Sequence, residues 1–506
     1  MKKLNIFWLL IDSARNFETD EDKRGLPKSV VNFAESATYF KNVVTSAPST
    51  IQSISSMMTS APSYLLSRSY NNYRGISDSF DYFPHMLKKN GYQIYGAIYF
   101  KHGRETMSDV FGMMDNKFYP KDLSHRKEVW TNNDIYNLFN QVLEKNDWEK
   151  PTMCYLHYNV RVDVNISEVI QNTLDSIAAR GLMDNSVIII NSDHGYPTKA
   201  RGWDPIAAQK EGWGHDKQLY NDNILTPLVI KYPGCDAKEV NDYIATIDIV
   251  PSLCHLLDLP PSPKFHGVNV FDPEIALNER LLRTDNRYVG QLPAFTSFIK
   301  GNKKCIIYKD SSNNATSEYF DLVKDPEEKN SLTFSKQFEE LKNSVEENFI
   351  EFDNFHRDLL LEKWGKLKQF PNVIKSSTAC VVLESTPAFK KIVESVFSEL
   401  LPKTEIKFSE EVLENEKSSR SFDVGFVIIE SEIPWDLNSP KKVAANFKNK
   451  ELIYLDNNGK IYSNFIKPRL YFNFVKKRSK LFKIDKLFIF DLFYRMITRK
   501  LLKPVN

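Results

Sequence analysis

Short apolar runs alternate along the first half of the chain with stretches whose apolar residues recur at helical spacing. The runs predict strands over residues 5–11, 93–99, 152–158, 187–191 and 227–231. The spaced stretches predict helices over 29–35, 134–144 and 170–181, the last with Gly181 suited to end it. Strand and helix in alternation specify an α/β fold, a mostly parallel sheet sandwiched by helices. The pattern then turns hairpin-like over 296–308 and helical and acidic over 336–351, as expected of a covering subdomain. Alternation restarts with strands at 379–383, 424–429 and 452–455 and a helix at 387–400, which predicts a smaller C-terminal α/β unit. The expected organisation is a catalytic α/β domain over 1–270, the covering subdomain over 271–370, a small α/β domain over 376–465 and a tail over 466–506.

Length and composition agree with this division. A chain of 506 residues, 42% hydrophobic and 26% charged, is globular and long enough for two or three cores. Five widely separated cysteines, Cys154, Cys235, Cys254, Cys305 and Cys380, read as reduced thiols of a cytoplasmic protein. The opening MKKLNIFWLLIDSAR puts two lysines before an apolar run, but the run stops at Asp12 without a small-residue cleavage site, so it reads as a buried strand. No stretch offers the roughly 20 uninterrupted apolar residues of a membrane-spanning helix. The net charge of +2 hides an uneven distribution: residues 466–506 carry twelve Lys and Arg against two Asp, which leaves the rest of the chain at −8. Nucleic acid is therefore not an expected partner of the main body.

In α/β folds, ligands meet side chains just past the carboxyl ends of strands. Two such ends carry acids here: Asp12 closes NIFWLLI, and Asp193-His194 closes VIIIN. Carboxylate oxygen and imidazole nitrogen suit a divalent metal, although an isolated Asp after a strand is also a common turn or cap residue. Between them lies PSTIQSISSMMT, residues 48–59. It reads as a hydroxyl-capped helix start; a hydroxyl there is also well placed for nucleophilic work, since the dipole and first-turn amides stabilise an alkoxide.

The order of strand-Asp, Thr-x-x-Ser-x-x-Ser-φ-φ-Thr and Ser-Asp-His-Gly resembles the alkaline phosphatase/sulfatase superfamily in its sulfatase-like branch. LDSIAARGLMDNSVIIINSDHG, GHDKQLYNDNILTPLVIKYPG, ATIDIVPSLCHLLDLP and EYFDLVKDPEEKNSL are similar to later landmarks of that branch in the right order, so the resemblance covers about residues 1 to 335. It implies an alkaline phosphatase-like fold and one divalent ion (Mn, Mg, Ca or Zn) held by Asp12, Asp193 and His194, with Thr50 as fourth ligand. It also implies Thr50 as nucleophile, with His215 and Lys217 at the substrate anion. Two departures matter. Thr50, Gln52 and Ile54 stand where sulfatases carry Cys-x-Pro-x-Arg, the context in which cysteine or serine matures to formylglycine. The histidine that many relatives carry after the 152–158 strand is absent, so Arg161 is expected at the substrate anion and His157 is read as a packed core residue. Asp12 stands alone where many sulfatases have a double Asp, which argues for a single metal site.

The resemblance thus implies a metal-dependent phosphoester hydrolase or phosphotransferase acting through a covalent phospho-threonine. Its expected substrate is a phosphorylated small molecule, glycan or lipid-linked envelope precursor. A sulfatase is the enzymatic alternative, and an inactive sulfatase-like scaffold the alternative of another class. Over 471–497, aromatics and aliphatics interleave with Lys and Arg; such a segment lies on an anionic membrane surface or docks its apolar face on the protein. The first reading gives a cytoplasmic protein, peripheral on the inner face of the membrane. Oligomeric state is not legible in the sequence.

Overall fold

A computed structural model describes residues 3–16, 25–66, 80–98, 116–118, 131–160, 165–198, 218–286, 294–309, 315–369, 378–382, 387–408, 424–429, 451–456 and 461–462. The chain forms two compact units, Met1–Glu346 and Glu347–Asn506.

The first unit is built on an eight-stranded sheet. Its strands are β1 (Asn5–Asp12), β2 (Thr38–Val44), β3 (Gln93–Ile98), β4 (Asn116–Phe118), β5 (Thr152–Asn159), β6 (Ser186–Asn191), β7 (Leu225–Lys231) and β8 (Lys238–Ala245), in the order β4-β3-β5-β1-β6-β7-β2-β8. All neighbours are parallel except β7, which runs antiparallel to both β6 and β2. The expected α/β sandwich is therefore present, with one strand reversed.

Strand alternation assigns the two faces. Ile6, Trp8 and Leu10 of β1 pack with Met153, Tyr155, Val187 and Ile189 against α2 (Thr50–Thr59), α3 (Phe83–Lys89) and α7 (Ile249–Leu256). Phe7, Leu9 and Ile11 point the other way with Cys154, Leu156, Tyr158, Ile188 and Ile190, against α1 (Lys28–Ala34), α4 (Asn132–Lys145) and α5 (Ile166–Ala179). Successive side chains of a strand face opposite sides, so a strand covered on both sides reads as an unbroken apolar run. For that reason β1, β5 and β6 were visible in the sequence. Strand β2 was not: its apolar pattern is broken by Lys41 and Asn42, where the pairing shifts register between Phe40 and Val43. Edge strand β8 carries Lys238, Glu239, Asn241 and Asp242 and is largely exposed over its first half.

A four-stranded antiparallel sheet, β12-β11-β10-β9, follows, with β9 (Leu281–Asp285), β10 (Ala294–Lys300), β11 (Lys303–Lys309) and β12 (Ala315–Asp321). The predicted hairpin is β10–β11, turning at Gly301, whose φ of 55° lies in the left-handed region that glycine adopts without strain. Leu282, Ile299, Ile306 and Phe320 pack with Val44, Leu219, Ile224 and Ile247. Helix α8 (Glu339–Trp364) extends beyond the predicted 336–351 because Leu359, Leu360 and Trp364 continue a buried stripe at helical spacing.

The second unit holds a sheet ordered β14-β13-β15-β16-β17, from β13 (Thr378–Val382), β14 (Glu405–Phe408), β15 (Val424–Ile429), β16 (Glu451–Asp456) and β17 (Ile461–Tyr462). It is parallel apart from β17. Helix α9 (Pro387–Leu400) buries Ile392, Val393, Val396, Phe397 and Leu400, and Phe397 stacks at 5.6 Å on Trp364. Among the described residues, no helix is long and apolar enough to cross a membrane. The tail over 466–506 lies outside the described residues.

Trp8, fully buried at the middle of the central strand, contacts the rings of Phe83 and Tyr155. Trp8→Ala is expected to destabilise the first unit by about 3–5 kcal/mol, read as a lower urea midpoint by circular dichroism.

Candidate active site

The site is assembled at the carboxyl ends of β1 and β6, neighbours at the centre of the sheet. Asp12 is the last residue of β1, and Asp193 and His194 follow β6 directly. One donor atom from each of the three lies within 4.8 Å of the others, and all three residues are buried. Thr50, the first residue of α2, brings its Oγ1 to 3.2 Å from His194 Nε2. It is the one member of the group that is not fully buried.

Two loops hold these side chains by hydrogen bonds that the strand ends themselves supply. Ser13 has φ 64°, which turns the chain sharply after β1 and points successive amides at the neighbouring loop. Its N–H donates to Asp193 Oδ1 at 3.1 Å, and the Ala14 N–H donates to Ser192 Oγ at 3.0 Å. The buried Arg15 guanidinium donates to the Tyr196 carbonyl. Below them, Trp8 Nε1 donates to Asn191 Oδ1 at 2.7 Å. Helix α2 is tied in through its next turn, where Ser53 Oγ donates to the Asp193 carbonyl at 2.6 Å, and Thr45 Oγ1, just after β2, donates to the same carbonyl at 2.7 Å. Strand β9 braces the approach to α2, with Thr284 Oγ1 donating to the Thr45 carbonyl and the Asp285 N–H to the Ser46 carbonyl.

The donor set fits a divalent cation. Asp193 Oδ1 accepts the amides of Ser13 and His194, whereas its buried Oδ2 accepts no hydrogen bond and faces His194 Nε2 at 3.4 Å. His194 Nδ1 lies 2.7 Å from the Gly195 carbonyl, which can only accept, so Nδ1 carries a proton and Nε2 is the ring nitrogen turned toward Thr50 and Asp193. Asp12 Oδ1 accepts from Ser13 Oγ at 2.5 Å. Burial acts to raise the Asp12 carboxyl, but the rings of His157 and His194 and the Ser13 hydroxyl outweigh it and hold Asp12 well below the usual carboxylate range. Burial pushes Asp193 up against the pull of His194, and the charge on Asp12 adds to the rise. Tyr155 is raised as well, by burial first and then by Asp193 and Asp12. Two carboxylates and an imidazole nitrogen in a dry site form a hard-to-borderline cation site.

His157 belongs to this neighbourhood too. It is fully buried, as a core residue would be, but its Nε2 stands 3.8 Å from Asp12 Oδ2. The strand register brings it there, which no local pattern carries: His157 pairs with Leu10, two residues before Asp12 on the same face of the sheet. The roles of Ser13, Thr45 and Ser53 had no local signal either. Arg161, His215 and Lys217 lie outside the described residues.

An Asp, Asp, His cluster and a helix-start hydroxyl at the strand ends of a mostly parallel sheet define an α/β protein with a candidate metal site. The chain matches the sulfatase family over residues 4–160 and 164–259, half its length, and belongs to that family. A 188-residue stretch is 29% identical to the ulvan-active sulfatase of Formosa agariphila, strain DSM 15362; this is 35% of this chain and only 35% of that relative's length. Among solved structures, a 2-O glycosaminoglycan sulfatase, BT1596, shares 12% identity at a TM-score of 0.55, over 69% of this chain and 92% of the other. The structure of BT4656 in complex with D-glucosamine-2-N,6-O-disulfate shares 12% identity at a TM-score of 0.53, over 70% and 98%. At that identity the likeness is one of fold.

Asp193 binds its proton more tightly in the folded chain than in the unfolded one. Its contribution to the metal-free fold is therefore present below the usual carboxylate range and lost as pH rises through its raised value. A bound cation reverses the preference by holding the carboxylate ionised. Thermal stabilisation by Mn²⁺ is accordingly expected to grow from acid to neutral pH in scanning fluorimetry. Asp193→Asn should abolish it while leaving the metal-free protein at least as stable at pH 7.

Proposed function

We propose that the chain is a metal-dependent phosphoester hydrolase or phosphotransferase with Thr50 as its nucleophile. The observation that carries this reading is the Thr50 hydroxyl at the start of α2, 3.2 Å from a metal-cluster histidine. Threonine is not a precursor of formylglycine, and the position at which that maturation motif has arginine is Ile54, buried in the apolar core. A stable hydroxyl suits phosphoryl transfer.

Asp12, Asp193 and His194 would hold the cation, with Thr50 beside them. Bound there, a divalent cation lowers the pKa of the Thr50 hydroxyl and polarises the phosphoryl oxygens. Thr50 Oγ then forms a bond to phosphorus as the bond to the leaving oxygen breaks, and the leaving oxygen takes up a proton. Water or an acceptor alcohol attacks the phospho-threonine in turn, giving its proton back to Oγ as the Oγ–P bond breaks. Amides in the first turn of a helix have no acceptor inside the helix, so the start of α2 is suited to face the transferring anion. Lys217 is assigned to the phosphoryl oxygens, His215 to protonation of the leaving oxygen and Arg161 to further anion contact. Phosphorylated glycans or lipid-linked precursors are the proposed substrates, in keeping with relatives named for ulvan, for glycosaminoglycan and for a sulfated glucosamine. Those same relatives favour the second reading, sulfate ester hydrolysis.

Turnover of an aryl phosphate, an aryl phosphodiester and an aryl sulfate with Mn²⁺ separates the two. Phosphorus substrates should be preferred, Thr50→Ala should lower their turnover at least about a thousandfold, and quenched enzyme should carry a phosphoryl group on Thr50 by mass spectrometry. Preference for the sulfate, or full activity of Thr50→Ala, rejects the proposal.

The basic, aromatic tail over 466–506 is proposed to bring the chain to the anionic inner face of the membrane. In flotation with phosphatidylserine vesicles the full chain should float and a chain ending at Ser463 should not. Equal flotation sinks that assignment.

A further inference from the structure

Lys304 on β11 and Glu328 in the loop after β12 form an ion pair without solvent exposure, Nζ lying 2.5 Å from Oε1. Such a pair is rarely more stabilising than apolar side chains of the same volume, so its energy alone does not explain it. Its other bonds do. Lys304 Nζ donates to Asn221 Oδ1 at 2.8 Å, and the Asn221 N–H donates to Glu328 Oε2 at 2.6 Å, so the first residue of α6 (Asn221–Ile224) is gripped at its side chain and its backbone.

Helix α6 in turn grips the loop that carries His194. The Asp222 carbonyl accepts the Tyr196 N–H and the Asn223 carbonyl accepts the Gly195 N–H, both at 2.9 Å. The Asp222 carboxylate accepts the Thr198 N–H and hydroxyl at 2.8 and 3.0 Å. The contact is backbone on backbone: a Cβ on Gly195 would stand 2.3 Å from the Asp222 carbonyl oxygen, which only glycine avoids. The carbonyl of this same Gly195 takes the Nδ1 proton of His194 and so orients the ring.

We propose that the buried Lys304–Glu328 pair is a positioning element of the cation site. Through Asn221 it fixes α6, α6 fixes the backbone of Gly195 and Tyr196, and Gly195 fixes His194. The inference rests on reading Asp12, Asp193 and His194 as a cation site; it does not depend on whether phosphate or sulfate is the substrate. Groups that orient a metal-bound histidine are commonly worth about tenfold or more in metal affinity.

The test uses the full chain as Lys304→Met and as Lys304→Met/Glu328→Met. The double variant removes both charges together, so it remains informative where the single one fails to fold. Hydrogen exchange by mass spectrometry reads peptides covering 192–198 against those of β1 and β5, and calorimetry reads Mn²⁺ affinity without substrate. The expected result in the folded double variant is exchange over 192–198 faster by about tenfold, unchanged exchange in β1 and β5, and Mn²⁺ affinity about tenfold weaker. Wild-type exchange over 192–198, or wild-type Mn²⁺ affinity, in that folded variant overturns the proposal. Failure of the phosphoester reading appears instead as a preference for aryl sulfate and moves neither readout.

Discussion

Two carboxylates, on Asp12 and Asp193, are held within 4.8 Å of one another in a site almost closed to solvent. At that separation and an effective dielectric near 20, two full charges repel by roughly 3 kcal/mol, before any cost of desolvation. The surroundings offset part of this. Amides of Ser13 and His194 stand on one oxygen of Asp193, the Ser13 hydroxyl on one oxygen of Asp12, and two imidazoles lie close by. What is left is a carboxylate-rich site with an unbonded carboxylate oxygen and an imidazole nitrogen turned inward, which a cation would complete. Much else in the first unit keeps that arrangement from relaxing: the central place of β1 and β6, the turn at Ser13, and the Thr45 and Ser53 hydroxyls, one just before α2 and one on it, bonded to the Asp193 carbonyl.

The small antiparallel sheet completes the brace from outside. Strand β9 is bonded to the backbone just before α2, and β11 reaches α6, so the start of α2 and the loop after β6 are both tied to one small sheet. Reacting groups must be held to fractions of an ångström if their alignment is to lower a barrier. A sheet that contributes no side chain to the cluster therefore still bears on its chemistry.

Much of this was legible in the sequence where burial writes a strong pattern. Strands covered on both faces appear as apolar runs; Asp12 and Asp193 follow such runs, but it is their order with the hydroxyl-rich stretch between them that singles them out. Other parts escaped because their physics is not local. Strand β2 is interrupted by a bulge, β8 is a polar edge, and β7 reads as a strand without declaring its reversed direction. His157 lies inside an apolar run, and only pairing with β1 brings it to Asp12. Thr45 and Ser53 look like helix-cap chemistry; their acceptor is a carbonyl 148 and 140 residues away. The buried Lys304–Glu328 pair is likewise invisible until two strands and a loop are folded together.

The left-handed turn at Ser13 restricts what this position can become. Few residues hold a positive φ at low cost, chiefly glycine, asparagine and aspartate, and of these only asparagine carries a donor that could take the place of the Ser13 hydroxyl on Asp12. The backbone is therefore already shaped for a neutral or an acidic side chain at that point. An acidic residue there would exchange a hydrogen-bond donor for a third negative charge beside Asp12, so this one position weighs on the formal charge of the whole cradle.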